Sequence, residues 1–204
     1  MSISEKLTQL NGIKQDIKQS LIDKGQAATD DMTEYSTLIS NISGSSDDSF
    51  KNLIERNSNP VNLPSDLTKI GDYAFYNCKN LALTSLPAGV TSIGTQAFNG
   101  CTKLALTSLP ESLTSIGYQL FYNCKQLALT SIPEGITSIG GNAFYSCTSL
   151  TTLTFKGTPN TIESTAFRFC TNLTTINVPW SEGAVANAPW GATNATINYD
   201  YVGE

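Results

Sequence analysis

Apolar residues recur along this chain with two different periods. Between residues 3 and 42 the spacing is helical: Ile3, Leu7, Leu10, Ile13, Ile17 and Leu21 fall on one face, Ser2 and Glu5 open the run at capping-box spacing, and Gly25 ends it. Met32, Tyr35, Leu38, Ile39 and Ile42 mark a second, shorter stripe that stops at Gly44. The pattern predicts two short helices within residues 1–44, forming an attachment module. Two helices of this size leave an apolar edge uncovered, so Leu7, Leu10, Ile13, Ile17 and Leu21 are assigned to oligomerisation with further copies of the chain. Lys14 interrupts that seam and argues against a long coiled coil.

The second period is 23 residues, and it runs through the rest of the chain. Cys78, Cys101, Cys124, Cys147 and Cys170 keep this interval, and so do Phe75, Phe98, Phe121, Phe144 and Phe167. Ile70-Gly71, Ile93-Gly94, Ile116-Gly117 and Ile139-Gly140 hold the same phase. Such regularity describes a solenoid whose units bury their apolar residues against one another. Leu/Ile- and Thr-rich runs punctuated by Pro and Gly suit brief strands joined by tight turns, and Pro64, Pro87, Pro110, Pro133 and Pro179 belong at strand ends because proline offers no ladder donor. After Cys78, Cys101 and Cys124, Leu stands at offsets three, five and eight, with Ile132 in the last of these places, whereas after Cys147 and Cys170 the apolar offsets are three, six and eight. The first three units are therefore expected to carry a bulge or to start their strand later. The expected organisation is a helical module over 1–44, a linker and N-terminal cap over 45–60 with Phe50, Leu53 and Ile54 on the solenoid end, the solenoid over 61–179, and a C-terminal cap over 180–204.

Composition narrows the function. With 12 Lys and Arg against 17 Asp and Glu the chain has a formal charge of -5 and no basic run, which argues against nucleic-acid binding. It has no His, which removes the commonest general base near neutral pH. Met1 to Gln9 lacks the pattern of a secretory signal, and no apolar run approaches a membrane span, so no membrane insertion is expected.

The segment LTSIPEGITSIGGNAFYSCTSL, Leu129 to Leu150, resembles the leucine-rich repeats of bacterial surface proteins of the BspA-like or treponemal class, over Leu63 to Val178. The resemblance implies an α/β leucine-rich repeat solenoid with short parallel strands, carrying the N-terminal helical module, and a role in adhesion or protein recognition. Leu10 to Ile42 is similar to the helical module of phage and prophage tail-associated proteins, and Val178 to Asp200 to the end of phage-associated repeat proteins. Together these resemblances imply a tail-associated binding protein that contacts a bacterial surface protein or glycan and other tail proteins. It would be assembled in the host cytoplasm, reside in the virion tail and become extracellular after lysis. A BspA-like surface adhesin and a structural tail connector are the alternatives.

Candidate contact residues come from the column beside the Phe series: Tyr76, Asn99, Tyr122, Tyr145 and Arg168, which offer broad rings and directional donors. Trp180 and Trp190, each after a proline, read as a cap over the last repeat or as a glycan platform. The Phe and Cys series are expected to form structural ladders. Stacking at about 4.8 Å spreads the thiols along a line unsuited to a zinc site, and parallel side chains are poorly aimed for disulfides. Glu111 and Glu134 each follow Pro in the same repeat turn and read as duplicated solvated residues, not as a catalytic carboxylate pair. No enzyme activity, cofactor or metal is expected.

Overall fold

A computed structural model describes residues 63–203. They wind as a solenoid of nine short strands, all paired in parallel. One ladder takes a two-residue strand from each coil: β1 (Lys69–Ile70), β2 (Ser92–Ile93), β3 (Ser115–Ile116), β5 (Ser138–Ile139) and β7 (Thr161–Ile162). The other contains β4 (Ser131–Ile132), β6 (Thr152–Phe155), β8 (Thr175–Asn177) and β9 (Thr196–Asn198). Pairing follows the repeat, as in Ile116 opposite Ile139 and Ser131 opposite Thr154. Before β4, the units with the three-five-eight spacing make only isolated ladder bonds, such as Ala105 N to Leu83 O at 3.0 Å. The strand starts late in the unit of β4 and is absent from the two units before it, and it lengthens to the four residues of β6 only where the spacing changes to three-six-eight.

The fold class among the described residues is all-β, not the α/β class expected from the sequence. Each coil passes through a six-residue turn instead of a helix, and two residues in most of these turns adopt the left-handed region: Tyr73 and Asn77, Gln96 and Gly100, Gln119 and Asn123, Asn142 and Ser146. L-residues cannot accumulate an α-helix across such positions. The N–H groups go alternately back three residues, as in Cys101 to Phe98 O at 3.1 Å, and across to the next coil, as in Phe98 to Leu120 O at 3.1 Å. The helical module over 1–44, the cap residues Phe50, Leu53 and Ile54, and the seam Leu7, Leu10, Ile13, Ile17 and Leu21 all lie outside the described residues. Because no helix is present among the described residues, oligomerisation and docking to tail proteins through helices are withdrawn as partner assignments.

The core is the interior of the coils. Phe75, Phe98, Phe121, Phe144 and Phe167 stack with centroids 5.2, 5.8, 5.6 and 5.0 Å apart in succession. The two widest steps flank Phe121, whose preceding residue is Leu120 where the other coils have Ala74, Ala97, Ala143 and Ala166. Leu120 is fully buried, and the extra volume is taken up as a slightly looser stack.

The first ladder breaks between β2 and β3. Gly94 N donates to Ile70 O and Gly140 N to Ile116 O, both at 2.8 Å, but Gly117 makes no equivalent bond. Ser112 stands here, where the adjacent coils have Gly89 and Gly135. A Cβ at Gly135 would meet the carbonyls of Glu111 and Leu113, both at 3.4 Å. Those carbonyls are equivalent, one repeat on, to the Ala88 and Val90 oxygens that lie 2.9 and 2.7 Å from the Ser112 hydroxyl. A side chain thus enters the seam that glycine keeps closed elsewhere, and its hydroxyl finds an acceptor there.

Candidate functional site

The Cys ladder is interior. All five cysteines are buried, and none is held in a disulfide. Cys101, Cys124, Cys147 and Cys170 each donate a thiol hydrogen to the carbonyl of the Phe 26 residues upstream, at 2.9, 3.0, 3.0 and 2.9 Å, and so tie successive coils together. Burial pushes the Cys170 thiol up from 9.0 to about 12, against the opposing pull of its backbone hydrogen bond. It raises Cys101 and Cys124 further and holds Cys147 well above the ordinary thiol value. A thiol held protonated this way is neither a nucleophile nor a ready metal ligand.

Trp180 and Trp190 are also interior, at 5% and 0% exposure, so no ring face remains for a ligand and the glycan-platform assignment is withdrawn for both. They close the solenoid end around Phe155: Phe155 and Trp180 meet edge-on at 5.2 Å, and the two indoles lie 6.3 Å apart. Trp190 O accepts from Phe167 N at 2.9 Å, supplying the acceptor that a further coil would provide. The Trp190 indole N–H reaches Ala186 O at 2.7 Å, whereas the buried Trp180 indole nitrogen has no partner.

The contact column divides into three parts. Tyr76 is 39% exposed and meets Tyr73 edge-on at 5.9 Å. Asn99 is buried, its amide shared between Gln96 Oε1 at 3.2 Å and Gln119 Oε1 at 3.4 Å. Tyr122, Tyr145 and Arg168 then enter an aromatic cluster on the surface. Tyr122 and Tyr145 stack at 4.4 Å and 7°, and Phe169 meets Tyr145 edge-on at 5.0 Å with the Arg168 guanidinium 4.9 Å above its own ring. Desolvation raises the Tyr122 phenol above its ordinary value, and the neighbouring Tyr145 and Tyr118 add to the shift.

Two members of this cluster were not singled out by sequence reasoning. Tyr118 is 49% exposed and Phe169 48%. The Tyr118 ring lies 3.7 to 3.8 Å from where a Cβ of Gly141 would stand, so it packs beside the glycine of the next coil. Phe169 has φ 61°. Left-handed backbone costs an L-residue about 1–2 kcal/mol, and the other coils fill this phase with Asn77, Gly100, Asn123 and Ser146, all of them small or suited to the conformation. The signal was available as departure from the repeat: Phe169 among Asn, Gly and Ser, and Tyr118 among Asp72, Thr95, Gly141 and Ser164.

Chemically this face offers rings, phenols and a guanidinium, groups suited to contact. Among the described residues no group of three His, Cys, Asp or Glu can hold a metal. Glu111 accepts from Lys156 Nζ at 2.6 Å, an exposed ion pair rather than half of a carboxylate dyad. No helix among them is long and apolar enough to cross a membrane. A parallel solenoid with a buried thiol ladder and an aromatic surface column is a leucine-rich-repeat scaffold suited to protein interaction.

The sequence matches the BspA type leucine rich repeat region over residues 68–187, in 6 copies, and the chain belongs to that family. It is similar to the leucine rich repeat protein of T. pallidum, with 32% identity, TM-score 0.54 and 68% of each chain covered. A leucine rich cell surface protein of Faecalibacterium prausnitzii is 31% identical with TM-score 0.51, over 61% of this chain and 36% of its own. No curated protein matches the chain.

Proposed function

We propose that this protein is a surface-associated, adhesin-like binding protein whose aromatic column engages a macromolecule at a bacterial surface. The observation that carries this role is the cluster Tyr118, Tyr122, Tyr145, Arg168 and Phe169: aromatic rings and a guanidinium gathered on one face, with two rings about half exposed. Tyr and Arg dominate binding energy at protein interfaces, and rings fixed against one another lose little freedom on binding. Support for the surface setting comes from the family and from the cell surface protein of F. prausnitzii. Tail association draws on residues 10–42, outside the described residues, and on 178–200, which cap the solenoid as any solenoid end requires. The surface role is therefore preferred.

The test is adsorption of the purified chain to intact bacterial cells, with cells stripped of surface protein or of surface glycan in parallel. Replacing Tyr122 and Tyr145 together with Ala is expected to weaken adsorption by about 30-fold or more, the equivalent of a lost hot spot of about 2 kcal/mol. Equal adsorption of wild type and double variant would sink the assignment of this face.

A further inference from the structure

We propose that Arg168 and Phe169 are the specificity-determining pair of this face, and that they select a protein segment bearing an exposed carboxylate beside an apolar side chain. The inference rests on the binding role proposed above and names the class of partner.

Phe169 gains little from the fold in return for its strain. Its backbone sits at φ 61° and its ring is 48% exposed, at a phase where Asn serves in two other coils. A strained residue persists where its surroundings hold it, and such residues gather at ligand contacts. Here the holding contacts are Tyr145 at its edge and Arg168 over its face.

Arg168 supplies the charge. It is exposed and forms no ion pair among the described residues, and its guanidinium carbon lies 4.9 Å from the centre of the Phe169 ring. The next position in its column, 23 residues on, is Gly191, which has no side chain to cover it. That glycine is obligatory, with φ 85° and a would-be Cβ 3.1 Å from Arg168 N. An uncovered guanidinium fork matches a carboxylate bidentately. On a chain of formal charge -5, an acidic partner needs such a local cation to approach.

The rings decide between peptide and sugar. Glycan stacking uses an open ring face, but Tyr122 and Tyr145 turn faces to each other at 4.4 Å and Arg168 lies over Phe169. With those faces engaged, the surface is an apolar centre bordered by phenol hydroxyls and a guanidinium, which suits the side chains of a protein segment.

The experiment uses the full chain with three immobilised polymers: a random glutamate–tyrosine copolymer, polygalacturonate as a carboxylated glycan, and polylysine. Wild type is expected to bind the copolymer most tightly, with affinity falling as salt rises. Arg168→Gln and Phe169→Asn are each expected to weaken it by about tenfold. Phe169→Asn should also melt at or above wild type, because Asn accepts the left-handed backbone. Failure of wild type to bind the copolymer, unchanged binding in both variants, or preference for polygalacturonate would overturn the proposal. So would a lower melting temperature for Phe169→Asn, since Phe169 would then be a packing residue. If wild type still adsorbs to cells when any of these occurs, the general binding role stands and only this specificity falls; if it adsorbs to none, the general role itself has failed.

Discussion

Two glycines at the same repeat phase are expected to respond oppositely to the same substitution. Neither Gly117 nor Gly140 has a positive φ, so Ala is conformationally acceptable at both. A Cβ at Gly140 would lie 2.8 Å from Tyr118 N, 2.9 Å from Gly117 C and 3.1 Å from Tyr118 Cα, all backbone atoms that move only if the coils part. Overfilling a packed seam costs about 1–3 kcal/mol. A Cβ at Gly117 meets nothing within 4 Å, because the first ladder is broken there. Ala at that position restricts the unfolded chain without a clash and stabilises by about 0.4–1 kcal/mol. At about 2–4 °C per kcal/mol for a chain of this size, Gly140→Ala should lower the melting temperature by about 2–12 °C and Gly117→Ala should raise it by about 1–4 °C. Thermal unfolding followed by circular dichroism measures both. Gly140→Ala melting with or above wild type, or Gly117→Ala losing as much as Gly140→Ala, would refute the account of the broken seam.

The buried thiols predict alkaline destabilisation. The pKa values of Cys101, Cys124, Cys147 and Cys170 are raised in the fold, so above 9.0 the unfolded chain loses protons that the folded chain keeps, and stability falls by about 1.4 kcal/mol per pH unit for each of these thiols until the folded value, about 12 for Cys170, is reached. Denaturant titrations between pH 8 and 11 should show this slope and a shallower one for Cys124→Ala; a flat profile contradicts thiol burial. In the native protein near pH 8 the cysteines should react with a thiol reagent only at the rate of unfolding, and rapid labelling of Cys101, Cys124, Cys147 or Cys170 would contradict the interior ladder. At the cap, Trp190→Phe should destabilise more than Trp180→Phe: the first strips Ala186 O of its indole donor, whereas the second removes a nitrogen that has no partner. Chemical unfolding midpoints compare the two, with the reverse order counting against the cap geometry.

The 23-residue phase of Cys, Phe and Ile-Gly determined by itself that the chain repeats, where its short strands lie and which family it belongs to, because each repeat must bury the same positions against its neighbours. The change from three-five-eight to three-six-eight spacing likewise foretold where a longer strand forms, since only the second keeps an alternation compatible with β6 and β8. Other features depend on what stands one coil away, which a single unit cannot specify. The class became all-β because paired left-handed residues, from Tyr73 and Asn77 onward, send N–H groups across coils instead of along a helix. The Trp pair became core because Trp190 takes the acceptor role of a neighbouring coil for Phe167 and both indoles pack around Phe155. Tyr118 and Phe169 joined Tyr122, Tyr145 and Arg168 because Tyr118 packs beside Gly141 and the backbone at Gly191 closes on Arg168, a relation between residues 23 apart that stacking alone makes into contact.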